Sequence, residues 1–182
     1  MSAAMLKRPL VLLCALLAVA GCASTPPPPP PMVNQVEALK LRLFILVEEE
    51  RHRLNAEARP LVLDPELSMA AQVHSDDMAK KRSFDSMNPN GNPALNALLA
   101  GDPKFRGYVG ENSAAQYFTP SAGIDPDMLA HVFLDIWLNS PTHKSNLVFG
   151  RFDRTGIGIA VSGNMIYAAE LFATDLDLPE PP

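Results

Sequence analysis

Six consecutive prolines, Pro26 to Pro31, interrupt this chain as a stiff spacer between its first residues and the stretch expected to fold. Proline locks φ and lacks a backbone N–H, so the tract can join neither a helix interior nor a sheet. It should run as an extended polyproline helix, rising about 3.1 Å per residue. The folded part is expected after it. The stretch from Asn34 to Thr174 is about 140 residues, enough for one domain with one core. It contains no cysteine, since Cys14 and Cys22 both precede the tract. A disulfide framework, a thiol nucleophile and a thiolate metal site are therefore excluded from the folded part. No internal repeat is visible. The tail, Asp175 to Pro182, carries three acids and three prolines and is expected to be disordered.

Upstream of the prolines, Lys7 and Arg8 precede a short apolar run from Leu10 to Ala20. That run is about eleven residues, where a membrane-spanning helix needs roughly 20. Val19-Ala20-Gly21-Cys22 resembles the lipobox of bacterial lipoproteins, in which the cysteine becomes the lipidated first residue. The resemblance implies a signal peptide over 1–21 and an acylated Cys22, of the palmitate-bearing kind. A spacer over 22–33 follows, then a domain over 34–174 and the tail. A stiff spacer would hold the domain away from the bilayer; service as a ligand for aromatic grooves is the lesser alternative. In a Gram-negative host, Ala23 resembles the outer-membrane sorting pattern, facing periplasm or surface. The part after residue 21 has 13 basic and 20 acidic residues, a net charge of −7. An acidic chain without a basic run speaks against nucleic-acid binding and against electrostatic adhesion to anionic lipid, so acyl chains would do the anchoring.

Three helices are expected from apolar spacing. Over 34–55, Val36, Leu39, Leu43, Leu46 and Val47 form one stripe. The second opens with Asp64 as N-cap and Pro65 at the first helical position, then places Leu67, Ala70, Ala71, His74 and Met78 on one face. The third opens likewise with Asp125-Pro126. Its stripe is Met128, Leu129, Val132, Phe133, Ile136 and Trp137, and Pro141 stops it. After Gly156 the period changes to two, with Gly163-Asn164 as a hairpin turn and a returning strand from Met165 to Phe172. The segment from Ser83 to Gly123, rich in Asn, Pro and Gly, reads as irregular and is a place where function often sits. Helices followed by a terminal hairpin indicate an α+β fold, antiparallel strands covered by helices.

Three segments together resemble the CAP superfamily of cysteine-rich secretory, antigen-five and pathogenesis-related proteins, or SCP domains, in its bacterial branch. They are Leu61…Asp64…Leu67…Ala71…His74-Ser75-Asp76-Asp77-Met78-Ala79, then Gly110-Glu111-Asn112, then Trp137…Ser140-Pro141-Thr142-His143-Lys144-Ser145-Asn146 with Phe152 and Gly156-Ile157-Gly158. The resemblance implies a three-layer α-β-α sandwich with a cleft that collects two histidines and acidic groups. On that basis Glu111 and His143 are cleft residues, and Glu170, alternating with Ala168 and Phe172, is the candidate for a further polar group. Where the family's other histidine usually sits, this chain has Ser86, in Phe84-Asp85-Ser86-Met87-Asn88-Pro89-Asn90-Gly91. Asn, usual three residues before Arg51, is replaced by Glu48, which puts a local loop contact in question.

The missing imidazole bears on chemistry. Some family members bind zinc or another divalent ion through the histidine pair; here His143 and Glu111 would be the remaining ligands, and zinc wants three or four strong ones at about 2.0–2.3 Å. Ser86, His143 and Glu111 are also the residue types of a nucleophile, a base and an orienting acid. Yet Ser86 lacks the Gly-x-Ser-x-Gly elbow, and nothing marks an oxyanion hole. Glu111 and His143 have a structural alternative as a buried ion pair. His74, on an apolar stripe, reads as a core histidine with one backbone partner; His52 and His131 read as solvated, and Trp137 as core. The expectation is a membrane-anchored, extracytoplasmic binding protein. Its cleft of Ser86, Glu111, His143 and Glu170 would receive a small apolar ligand or an envelope or host partner. The alternative is a metal-assisted or serine hydrolase acting on peptide or cell-envelope polymer.

Overall fold

Asp64 and Asp125 act as expected at two helix starts. Asp64 accepts hydrogen bonds from the N–H groups of Glu66 and Leu67, and Asp125 from that of Met128, each ahead of a proline at the first helical position. In the computed structural model, which describes residues 31–83 and 92–176, five helices and four strands follow in order. They are α1 (Met32–Leu54), β1 (Val62–Leu63), α2 (Pro65–Lys81), α3 (Pro93–Gly101), β2 (Gly107–Tyr117), α4 (Pro126–Leu138), α5 (Pro141–Val148), β3 (Arg154–Ser162) and β4 (Met165–Asp175). The segments 1–30, 84–91 and 177–182 lie outside this description, and with them the signal, Cys22, Ser86 and most of the proline tract.

The sheet runs β1-β3-β4-β2. β2, β4 and β3 are antiparallel neighbours, while β1 pairs parallel with β3 over two residues, so the sheet is mixed rather than purely antiparallel. Helices cover both faces, the three-layer α-β-α arrangement. On one side, α1, α4 and α5 pack Leu39, Leu43, Phe133, Trp137 and Leu147 onto Ile157, Ile159, Ala168 and Phe172. On the other, α2 and α3 pack Leu67, Ala71, Met78 and Leu98 onto Tyr167, Ala169, Leu171 and Ala173. Side chains of a strand alternate between faces, so each strand serves both layers.

Two departures from expectation have physical causes. The segment read as irregular holds α3 and the whole of β2, which pairs with β4 from Gly107 to Tyr117. Eleven paired residues stabilise a strand whose Gly, Glu, Asn and Ala residues carry little strand propensity of their own. The buried face of α4 is Leu129, Ala130, Phe133, Leu134 and Trp137, turned from the predicted stripe, and Met128 is exposed. Pro141 does end α4, and it then begins α5 behind the N-cap Ser140.

α2 lies unusually near β3. A Cβ placed on Gly156 would meet the Ser68 nitrogen at 2.1 Å, and one on Gly158 the Ala71 carbonyl carbon at 2.3 Å. Only glycine leaves room there. The close approach lets Ser75 donate to the Gly158 carbonyl at 2.9 Å. Gln72 bonds both the N–H and the C=O of Ile159, at 3.1 and 2.9 Å, standing in for a strand on that edge.

Candidate functional site

The triplet Gly110-Glu111-Asn112 sits in the middle of β2, the edge strand, and each residue has a separate task. Ala114 faces the α1, α4 and α5 layer, and Val109 and Ala115 the α2 and α3 layer. By alternation Gly110 and Asn112 point toward α5 and Glu111 toward α2. A Cβ on Gly110 would come within 2.8 Å of Asn146 Oδ1, so the glycine admits α5 against the strand. Asn146 Nδ2 then donates to the Glu111 carbonyl at 3.0 Å and to Asn112 Oδ1 at 2.9 Å. Asn112 Nδ2 donates to the His143 carbonyl at 3.2 Å. This carboxamide network fixes α5, and with it His143, to the open edge of the sheet.

The Glu111 carboxylate enters the space between α2, α3 and α5. Its Oε2 accepts from Asn92 Nδ2 at 2.5 Å, the side chain that also caps α3. Its Oε1 lies 3.4 Å from His74 Nε2. His74 is buried as the sequence suggests, but what it faces is this carboxylate, and neither ring nitrogen makes a hydrogen bond among the described residues. A second imidazole therefore does reach Glu111, from α2 rather than from the segment that holds Ser86. Sequence reasoning missed it, because an apolar stripe position looks the same whether its inner end meets carbon or a carboxylate. The available signal was the helical spacing that turns His74 toward the sheet.

His143 occupies the first turn of α5, half-buried, with its Nδ1 enclosed and without a partner among the described residues. Burial holds its pKa below the usual histidine range, and the nearby Glu111 charge offsets part of that effect. The enclosure favours the neutral imidazole.

Glu170 does not join this group. In the β2–β4 register it stands opposite Asn112, not Glu111, and so projects to the other face of the sheet. There it is fully buried beneath α1, accepting from Thr155 Oγ1 at 2.9 Å, near Arg51 and Glu48. Burial pushes its pKa up to about 8. Arg51, also fully buried, donates to the carbonyls of Leu147, Phe149, Arg59 and Phe152 at 2.9–3.3 Å. Glu48 Oε2 accepts from the Leu61 N–H at 3.1 Å, so the loop contact in question is made by a carboxylate. His52 and His131 are exposed, and Trp137 is fully buried.

The described residues do not gather a ligand set for a metal ion. Among the described residues no three His, Cys, Asp or Glu side chains converge as ligands. Asn92 and His74 already flank the Glu111 oxygens, short of the three or four strong donors zinc requires. A separate concavity of about 370 Å³ lies at the opposite edge of the sheet, between α1, α2 and β3, with Leu41, Leu63, Met69 and Ile157 in its walls. Glu37, Lys40, Ser68 and Gln72 complete its lining, which holds no histidine.

Comparison with known proteins agrees with this architecture. Residues 48–174 match the CAP family, described as the cysteine-rich secretory protein family. The chain belongs to that family. Its CAP domain is similar to YkwD of Bacillus subtilis, 26% identical over 132 residues, which are 72% of this chain and 46% of that protein. The chain thus spans under half of the relative's length. Among solved structures, an outer surface protein of Borrelia burgdorferi superposes with a TM-score of 0.60 at 21% identity, covering 77% of this chain and 94% of that one. An extracellular protein with an SCP domain from Bacillus anthracis gives 0.57 at 26% identity, covering 81% of this chain and 44% of that one. No helix among the described residues is long and apolar enough to cross a membrane.

Proposed function

We propose that this CAP domain is an extracytoplasmic binding module, tethered to a bacterial membrane through an acylated Cys22, whose Glu111–His143–His74 cleft receives a segment of an envelope or host partner. One observation carries the reading: Glu111 accepts from Asn92 on one oxygen and has His74 3.4 Å from the other, and the strand that bears it is bolted to α5 by asparagines. A carboxylate so occupied is a fixed recognition element rather than a mobile base. The extracellular SCP-domain protein of Bacillus anthracis supports the compartment. The lipobox resemblance over residues 19–22 supports the tether. A small apolar ligand remains part of the proposal.

The hydrolase reading has one point in its favour: burial of His143 favours its neutral form, the form a general base needs, within the field of Glu111. Ser86, its nucleophile, lies outside the described residues.

The test is native mass spectrometry of the full chain purified in detergent from a bacterial envelope without chelator. Acyl mass on Cys22 and a co-purifying peptide or lipid-sized adduct, lost in the Glu111→Ala/His143→Ala double variant, is the expected result. An adduct retained by the double variant would move the binding site away from this cleft. Labelling of Ser86 by a serine-reactive probe, abolished in His143→Ala, would replace binding by hydrolysis.

A further inference from the structure

β1 stops at Leu63, because Asp64 caps α2 and the chain turns away there. β3 runs on to Ser162, so from Gly156 its outer edge has no strand beside it. The strand register tells which main-chain groups face that edge. Leu176 N–H donates to the Arg106 carbonyl and Phe118 N–H to that of Asn164, and alternation between these two pairs turns the main-chain groups of Glu170 toward Asn112. They point away from Ile157, the residue opposite on β3, and Ile157 accordingly turns its own N–H and C=O outward. Thr155 and Ile159, two residues to either side, face the same way and are taken. The Thr155 carbonyl accepts from Asp64 N–H at 2.8 Å, and Gln72 bonds both groups of Ile159 at 3.1 and 2.9 Å. Between them, the N–H and C=O of Ile157 have no protein partner among the described residues, although Ile157 is only 3% exposed. Buried main-chain donors and acceptors are almost always paired.

Ile157 also lines the concavity of about 370 Å³ between α1 and α2. Leu41, Leu63 and Met69 stand around it, 55%, 44% and 63% exposed, so its rim is apolar and open. The charged residues in its wall, Glu37 and Lys40, neutralise each other at 3.0 Å. A lipid tail could cover this rim, but it would leave the N–H and C=O of Ile157 unpaired. A second folded copy would have to bring a free strand edge to one recessed between two helices, and on its own β2 edge Asn146 already holds the Glu111 carbonyl. Pro26 to Pro30 of the chain itself have no N–H to donate. An extended peptide from another protein meets both demands, with main-chain groups for Ile157 and alternate side chains for the rim. The Gln72 carboxamide already shows that this edge takes amide chemistry.

We propose that the β3 edge is a strand-addition site: an extended, apolar peptide segment of a partner protein pairs its backbone with Ile157 and lays alternate side chains against Leu41, Leu63 and Met69. Gln72 sets how far the pairing runs. A segment that continues past Ile157 must take the Ile159 groups from the carboxamide, and beyond it Val161 faces outward by the same alternation. This site lies across the sheet from Glu111 and does not depend on the cleft, since β2 and β3 are the two sides of the β4 pairing.

The experiment is amide hydrogen exchange by NMR on the full chain in phosphatidylcholine nanodiscs. The probe is a pool of end-capped hexapeptides with Val, Leu, Ile or Phe at alternate positions and Thr between. The expected result is exchange slowed by about tenfold or more at Ile157, while Ser113 on the far strand keeps its rate. The same pool N-methylated at its amides, which keeps the side chains and removes the donors, should have no such effect. Met69→Glu, an exposed position that the fold tolerates, should abolish the protection, and Gln72→Ala should extend it to Ile159. If no member of the pool slows Ile157, the site is refuted. If the N-methylated pool acts equally well, the groove takes apolar ligands without strand pairing, and the proposal fails. Protection that rises with protein concentration in the absence of peptide would assign the edge to a second copy instead. The Glu111→Ala/His143→Ala double variant should behave as wild type here, so failure of the cleft reading and failure of this one are told apart.

Discussion

Both oxygens of Glu111 have neighbours before any ligand arrives, and the charge they leave acts on His143. Burial lowers the His143 pKa and Glu111 raises it, with burial the larger. For a histidine whose folded value is depressed, the neutral form is favoured by folding; that stability is present above about pH 6.5 and is lost as pH falls below it. Replacing Glu111 by Gln removes the opposing charge, so the NMR titration midpoint of His143 should drop further; a rise would show that Glu111 does not face the imidazole. Glu111 and His143 were legible in sequence because short motifs carry them. The place of Glu170 was not. Alternation says that it shares a face with Ala168 and Phe172, but which face Glu111 uses depends on a register between strands 59 residues apart, and Asn112 holds that register position. His74 was placed inside correctly and given the wrong neighbour for the same reason: a helix stripe states what is buried, not what it meets.

Among the elements, the caps could be read and the packing could not. Asp64-Pro65 and Asp125-Pro126 start helices through contacts within a single turn, and the Gly163-Asn164 hairpin closes with Gly163 at φ +62°. β2 was hidden because its stability comes from β4, far along the chain, rather than from its own residues. The sharpest consequence of packing is at Gly158. Its missing side chain leaves space for the backbone of α2, where a Cβ would sit 2.3 Å from the Ala71 carbonyl group. Gly158→Ala should force α2 off β3 and cost about 1–3 kcal/mol, as overpacking of a core does. Urea unfolding of the two proteins measures it; a change under about 0.5 kcal/mol, within surface-substitution noise, would mean that α2 is free to move away.

For the whole molecule, Arg51 is the joint. A single buried guanidinium donates to four carbonyls spread over residues 59 to 152, tying α1, the loop before β1, the end of α5 and the approach to β3. Arg51→Ala would leave those carbonyls and the Glu48 carboxyl without their shared partner, a loss of about 3–5 kcal/mol when a buried charge network is broken on one side. Denaturant midpoints at pH 7 test this; an unchanged midpoint would show that the four bonds add nothing net. Sequence alone determined the thiol-free stretch after the prolines, the helix starts, the final hairpin and the CAP family, because each rests on neighbours along the chain or on short motifs in order. Tertiary structure decided that His74 meets Glu111, that Glu170 lies across the sheet from it, and that Arg51 joins the layers. These are contacts between distant segments, set by strand register and by which layer each helix covers, and no local pattern of residues encodes either.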